Sequence, residues 1–105
     1  DQCIVFVLDA GRLMRTSVGG ISLFDHALNS ALMLAHVATR HGDKVAVVAY
    51  ADRVLSSTPL TAGKRAVEAI VRAANPVQPV PVESDHRTAI EHVERVFRRR
   101  ALIVH

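Results

Sequence analysis

Asp9 is the residue best placed for chemistry, because it directly follows an apolar run of the kind that forms a buried central strand. In α/β folds, functional carboxylates lie at the carboxyl ends of such strands. Ser84, Asp85 and Thr88 begin a helical pattern whose amino end is expected at the same rim. These oxygens predict a divalent-cation site or, through backbone N–H groups, an anion site. The alternative is local: Asp9 caps its own loop and Ser84 caps its own helix.

The elements that would position these residues alternate between strand and helix. The apolar runs 3–8 and 45–51 lack alternation, which is typical of parallel strands covered on both faces. Between them, apolar residues at 4-3-4-3 spacing predict a helix over 22–41, with Ser22 as its cap and Gly42 as its stop. Together they predict a βαβ unit with a right-handed crossover.

The next segments predict an antiparallel strand and a second helix. Residues 54–56 follow Asp52 and Arg53 after a turn that is too short for a parallel crossover. This strand is therefore expected to run antiparallel at an edge of the sheet. Thr61 is expected to cap a helix whose apolar face extends to Ala74.

The last third of the chain predicts a connector, a helix and a strand. Closely spaced prolines exclude a helix over 75–82 and indicate an extended connector. Ser84 or Asp85 is expected to cap the final helix, whose basic end holds Arg95 and residues 98–100. A solvated face is the default interpretation of these arginines, and an acidic partner or anionic lipid surface is the alternative. The order β-α-β-β-α-α-β indicates an α/β sandwich.

Residues 101–105 are predicted to form a strand at which the chain stops. Loops at the carboxyl ends of strands build the sites of open α/β sheets, so part of any site is expected to be missing. We expect residues 1–105 to form a single truncated domain that lacks C-terminal strands and helices. The unpaired edge of the last strand predicts a homodimer.

Composition limits the classes of partner and compartment. Hydrophobic residues make up 50% of the chain, which is typical of a globular protein. The net charge is +3 with one Tyr and no Trp, so a nucleic-acid-binding surface is not expected. Cys3 is the single cysteine and is expected to pack in the core, and no apolar run could span a bilayer. We expect a cytoplasmic domain, with a membrane tether left open for a longer protein.

The histidines do not predict a metal centre. His36 and His41, like His86 and His92, lack the i, i+4 spacing of a helical zinc site. Surface or capping roles are expected instead. Residues 9–20 carry Gly11, Gly19 and Gly20 with polar residues between them and are predicted to form a loop, the glycine loop. His26 lies nearest the rim and is expected either to border it or to pack on the glycine loop.

Four stretches carry a family resemblance, namely residues 5–14, 22–28, 43–53 and 83–90. They resemble von Willebrand factor A-like domains, in particular a bacterial family of unknown function that is often encoded beside MoxR-type AAA+ ATPases. The resemblance covers almost the whole chain. It implies a partial Rossmann-like, three-layer α/β sandwich with a mostly parallel sheet and an antiparallel edge strand.

In such domains a metal-ion-dependent adhesion site is formed by an Asp-x-Ser-x-Ser loop, a later Thr or Ser, and an Asp after the fourth strand. The resemblance assigns Asp9 as the first Asp and Ser84 as the later hydroxyl. Asp85, next to Ser84, is a further candidate oxygen ligand. Gly11 and Leu13 stand where the two serines belong, and the last Asp would lie beyond the end of the chain. The resemblance therefore implies a degenerate site. No tight metal binding by this chain is expected, and Mg²⁺ is left open for a longer domain.

The loops around this site are expected to form an interaction rim, with Gly11, Arg12, Leu13, His26 and Asp52 as its predicted residues. Arg12 carries a sharper hypothesis: its guanidinium would occupy the vacated cation position and pair with Asp9. The alternative is that Arg12 is a solvated loop residue.

Enzyme motifs are scarce in this sequence, which has no Walker loop, no Gly-x-Gly-x-x-Gly and no Gly-x-Ser-x-Gly. The strongest enzyme alternative is a phosphate- or nucleotide-binding α/β domain, with its site where Gly19 and Gly20 precede a helix. The resemblance implies instead a non-catalytic protein-interaction module that acts with a MoxR-type ATPase in complex assembly and recognises an acidic side chain of its partner. No cofactor is expected.

Overall fold

A computed structural model describes residues 2–97 and 101–105 of the chain. Its helices are α1 (Leu23–Arg40), α2 (Gly63–Ala74) and α3 (His86–Val96). A single 3-10 turn covers Arg12–Arg15. Its strands are β1 (Cys3–Asp9), β2 (Ser17–Val18), β3 (Ile21–Ser22), β4 (Lys44–Tyr50), β5 (Val54–Ser57), β6 (Thr61–Ala62) and β7 (Ala101–Val104).

The main sheet has the strand order β5-β4-β1-β7, and β6 adds a short pairing to β4. β1 lies parallel to both β4 and β7, and β5 runs antiparallel to β4 at the edge, as its short turn predicts. Asp9 and Tyr50 are partners in the β1–β4 register. The two central strands therefore end side by side, and the side chains that end them share one edge of the sheet.

The core fills both faces of the sheet, because successive side chains of β1 point in opposite directions. Phe6 and Leu8 belong to the cluster that includes Phe24 of α1 and Ile70 of α2. Val5 and Val7 belong to a second cluster with Ala89 and Val93 of α3. Full burial of a side chain such as Phe24 contributes about 1.5–3 kcal/mol to stability. The sandwich thus has three layers, as the resemblance implies.

The ends of α1 follow the sequence signals. The Ser22 hydroxyl accepts a hydrogen bond from the Asp25 amide at 3.1 Å, which caps the first turn. Gly42 has φ of 84°, a left-handed conformation that favours glycine and ends the helix. The predicted helix over 22–41 is confirmed to within one residue at each end.

The predicted cap of α2 is wrong. Thr61 lies in β6, and its hydroxyl donates to the Pro59 carbonyl at 3.2 Å instead of capping a helix. The N-cap position of α2 is Ala62, whose side chain makes no capping bond. Thr61 pairs with Val45 across the sheet, so tertiary pairing outweighs the local capping preference here.

Residues 10–22 hold more structure than the predicted glycine loop. The 3-10 turn at Arg12–Arg15 is followed by an antiparallel β2–β3 hairpin. Gly19 and Gly20 form its turn with φ of 64° and 79°, and a type I′ hairpin turn requires positive φ at both of its central positions.

Two further expectations concern membrane spans and the basic helix end. Within residues 2–97 and 101–105, no helix is both long and apolar enough to cross a membrane. The arginines at 98–100 lie outside the described residues.

Candidate functional site

The loop before α3 lies across the carboxyl ends of β1 and β4. The Val80 amide donates to the Ala10 carbonyl at 2.9 Å, and the Arg12 amide donates to the Val82 carbonyl at 2.9 Å. The Asp85 amide donates to the carbonyl of Ala51, just after β4, at 2.8 Å. These backbone bonds place the start of the last helix at the same rim as the end of the first strand, as predicted, and a crevice lies between them.

Asp9, Gly11 and Ser84 form the centre of this crevice. Asp9 Oδ1 accepts a 2.8 Å hydrogen bond from the Gly11 amide and a second hydrogen bond from the Ser84 hydroxyl. A Cβ atom at Gly11 would overlap Ser84 Oγ and approach the Val82 carbonyl oxygen to 3.1 Å. A serine side chain at position 11 is therefore incompatible with this arrangement, and the Ser84 hydroxyl binds the carboxylate directly.

The remaining oxygens do not complete a cation cage. Asp85 Oδ1 accepts a hydrogen bond from the Arg87 amide at 3.1 Å and caps α3, so Asp85 and not Ser84 is the cap. Leu13 is 65% exposed and offers no oxygen from its side chain. In the described part of the chain, no group of three or more His, Cys, Asp or Glu residues could hold a metal ion. Mg²⁺ requires near-octahedral oxygen coordination, and this residue set does not fit it.

Arg12 does not pair with Asp9. Its Nε donates to Glu83 Oε1, and both side chains are more than half exposed. The 3-10 turn directs Arg12 along the surface toward the loop before α3, where Glu83 supplies a solvated carboxylate. The hypothesis that this guanidinium takes the place of a cation at Asp9 is wrong for this structure, although the ion pair links the two loops of the rim.

Tyr50 and His86 form a second polar contact that the sequence analysis missed. Tyr50 is buried at the end of β4, and its Oη lies 2.5 Å from Nδ1 of His86, the first residue of α3. Burial, together with the nearby negative charge of Asp9, raises the pKa of Tyr50 to about 12. The phenol is therefore neutral at physiological pH. The sequence did hold a signal for this contact. Tyr50 is a polar residue at the end of an apolar strand run, and that strand was predicted to lie beside the one that ends in Asp9.

A cavity of about 480 Å³ opens beside this cluster. Its lining includes the polar residues Asp9, Tyr50, His86 and His105. Its walls are mainly apolar and include Met14, Ala27, Ala31 and Leu34. A concave apolar site with a few convergent polar groups is the usual form of a binding pocket.

The comparisons with known proteins agree with this geometry. Residues 4–105 match the family described as "Protein of unknown function DUF58". The chain belongs to the DUF58 family. No curated protein matches it.

Among solved structures, the DUF58 chain is similar to one reported as the crystal structure of the SpRpn10 VWA domain, with a TM-score of 0.64 and 10% sequence identity. The match covers 94% of this chain and 52% of that chain, so the DUF58 chain spans about half the length of this structural relative. At this identity the likeness shows the fold alone, which is a von Willebrand A-like sandwich.

The other predicted rim residues of the DUF58 chain have partners away from Asp9. His26 Nε2 lies 2.8 Å from the Val18 carbonyl, so this histidine packs on the glycine hairpin. Asp52 Oδ1 accepts a 3.2 Å hydrogen bond from Arg53 at the surface after β4. The structure therefore brings together Asp9, Gly11 and Ser84, links Arg12 to them through the loop, and leaves His26 and Asp52 outside this cluster.

Proposed function

We propose that the DUF58 chain is a non-catalytic protein-interaction module that binds its partner at the Asp9 rim. In this proposal the rim is a degenerate metal-ion-dependent adhesion site. The hydrogen bond from the Ser84 hydroxyl to Asp9, in the space beside Gly11, is the observation that carries it. The family resemblance assigns Asp9 and Ser84 to the metal, but in this structure their side chains are hydrogen-bonded to each other.

We propose further that the chain works without a bound cofactor. Mg²⁺ keeps its water ligands in preference to a poor cage, and Asp85 serves its own helix here. A longer protein that supplies a further acid could still bind Mg²⁺ at this rim.

The proposed partner is a MoxR-type AAA+ ATPase, with a role in the assembly of a larger complex and a cytoplasmic location for this domain. This part rests on the family resemblance. The exposed Leu13 and the exposed Arg12–Glu83 pair give the rim a mixed apolar and charged surface suited to a protein.

Two observations weigh against the alternative of a phosphate- or nucleotide-binding enzyme. Gly19 and Gly20 form the turn of a β-hairpin, whereas a phosphate loop would present their amides at the first turn of α1. Ser22 already occupies the N-cap of α1 and accepts the Asp25 amide. The geometry therefore favours protein interaction.

Site-specific photo-cross-linking with the purified MoxR-type ATPase of the same organism tests this function. A photoreactive amino acid replaces Leu13 at the rim, and a matched variant carries it at Lys64. Lys64 is exposed next to β6, which pairs with the opposite end of β4. We expect the Leu13 variant to form the cross-linked product and the Lys64 variant to form little. Equal labelling from both positions, or from Lys64 alone, would contradict a rim interface.

A further inference from the structure

We propose that Asp9 binds a basic side chain, lysine or arginine, of the protein partner, whose aliphatic part enters the cavity beside it. This inference rests on the proposed function and adds the chemistry of the ligand. The family resemblance implies an acidic ligand, whereas this inference assigns a basic one. An acidic ligand would require a cation between its own carboxylate and that of Asp9.

The charge balance around Asp9 supports this assignment. Its Oδ1 accepts hydrogen bonds from two neutral groups, the Gly11 amide and the Ser84 hydroxyl. Among the described residues, no cation pairs with it. The basic side chains of the rim are engaged elsewhere, Arg12 with Glu83 and Arg53 with Asp52. Asp9 therefore keeps an uncompensated negative charge in the lining of the cavity, where it repels an acidic ligand and attracts a basic one.

The walls of the cavity suit the rest of such a side chain. Met14, Ala27 and Leu34 line it with apolar groups, and its volume of about 480 Å³ exceeds the need of a four-carbon stem. Long basic side chains bury their methylene groups along apolar surface while the charged end meets a polar group. Tyr50 also lines the cavity and its phenol is neutral, so its ring is available for a cation–π contact.

His86 and His105 also line this cavity, and Nδ1 of His86 is engaged with the Tyr50 hydroxyl.

The test is an NMR titration of the ¹⁵N-labelled chain with three blocked tripeptides, Ac-Gly-Lys-Gly-NH₂ and its norleucine and glutamate analogues. Norleucine keeps the apolar stem without the charge. We expect saturable amide shifts at Gly11, Ala27 and Ala31 with the lysine peptide, and an affinity at least about tenfold weaker for the norleucine peptide. Equal binding of lysine and norleucine peptides, a preference for glutamate, or no shift at these amides would overturn the assignment.

Three variants locate the effect. Asp9→Asn keeps a hydrogen-bond acceptor for Gly11 and Ser84 but removes the charge, and it should lower the affinity for the lysine peptide about tenfold. Glu68→Gln removes an exposed carboxylate on α2 that does not line the cavity, and should leave that affinity unchanged. Ala27→Leu narrows the cavity but keeps the charge of Asp9, and it should lower the affinity for both the lysine and the norleucine peptides. An unchanged affinity in folded Asp9→Asn, or in Ala27→Leu, would contradict the proposal.

The result separates this inference from the proposed function. If the ATPase cross-links through Leu13 but the chain shows no preference for lysine peptides, the proposed interaction module is supported and the basic ligand is contradicted. Self-association of the chain that Asp9→Asn abolishes would make a second copy the occupant, and the assignment to a separate partner would be wrong.

Discussion

At the level of single residues, the site depends on the absence of a side chain at Gly11. Ser84 reaches Asp9 because nothing projects from position 11, where a Cβ atom would overlap the Ser84 hydroxyl. Gly11 is not in a left-handed conformation, so its role is to leave space. The hydrogen bond from Ser84 to Asp9 therefore depends on the absence of a side chain at Gly11.

The substitution Gly11→Ala tests this coupling. It should lower the free energy of unfolding by about 1–3 kcal/mol, because the new methyl group overlaps Ser84 and crowds the Val82 carbonyl. In a Ser84→Ala background the same change should cost less, because the overlapping hydroxyl is gone. Urea denaturation of the four proteins measures the coupling. Additive effects of the two substitutions would show that the residues act independently.

The pKa of Tyr50 can be measured directly because the chain has one tyrosine and no tryptophan. Ultraviolet titration should give a phenolate midpoint near 12, against about 10 in the unfolded chain, with Tyr50→Phe as the blank. Asp9→Asn should lower the midpoint only partly, because burial is the larger cause.

The sign of the accompanying stability change follows from the same shift. The folded state holds the tyrosine proton more tightly than the unfolded state, so stability should fall as pH rises from about 10 to about 12. A folded-state midpoint near 10 would show that Tyr50 is not in the buried environment described above.

Parts of the site were predictable from the sequence for specific physical reasons. Asp9 and Ser84 were found because the ends of parallel strands and the amino end of the next helix meet at one edge. The partner of Arg12 could not be predicted, since it depends on the direction of the 3-10 turn and on Glu83, far away in the chain. Tyr50 was assigned as an ordinary strand residue because its hydroxyl partner, His86, is set by how α3 packs.

At the level of elements, long periodic segments were predictable and very short ones were not. β1, α1 and β4 carry strong apolar patterns, and their bounds lie within one or two residues of the prediction. β2, β3 and β6 have two residues each and carry no periodicity. These short segments are strands only because they pair with a neighbouring strand. The cap assigned to Thr61 was wrong for the same reason, since Thr61 lies in β6.

The capping bond of α1 gives a prediction at this level. Ser22→Ala removes the acceptor of the Asp25 amide and should lower the free energy of unfolding by about 0.5–2 kcal/mol. Ser30→Ala, on an exposed position within the same helix, should be neutral or slightly stabilising because alanine has the higher helix propensity. Thermal unfolding followed by circular dichroism measures both, and equal effects would contradict the capping role.

For the whole molecule, we propose that the chain self-associates through the sheet edge at β7. β7 pairs with β1 and lies at the end of the described strand order, opposite β5. An unpaired strand edge with apolar side chains is a template for a second copy. The relative directions of β1, β4 and β5 followed from the sequence, because a short turn gives antiparallel neighbours and a helical crossover gives parallel ones.

Sedimentation velocity over a range of concentrations tests the proposed dimer. The wild-type chain should dimerise, and Ile103→Lys, a charge on the β7 edge, should favour the monomer. Met33→Lys, which removes a more exposed apolar residue from α1, should not. A wild-type monomer at high concentration, or equal effects of the two variants, would argue against pairing through β7.

The affinity of the chain for the nucleotide-free MoxR-type ATPase, measured by biolayer interferometry with Mg²⁺ and then with EDTA, tests the central claim most directly. We predict the same affinity in both buffers, a loss of about tenfold or more with Asp9→Asn, and no change with Glu68→Gln on α2. Binding that EDTA abolishes, or that Asp9→Asn leaves intact, would contradict a metal-independent interaction at this rim.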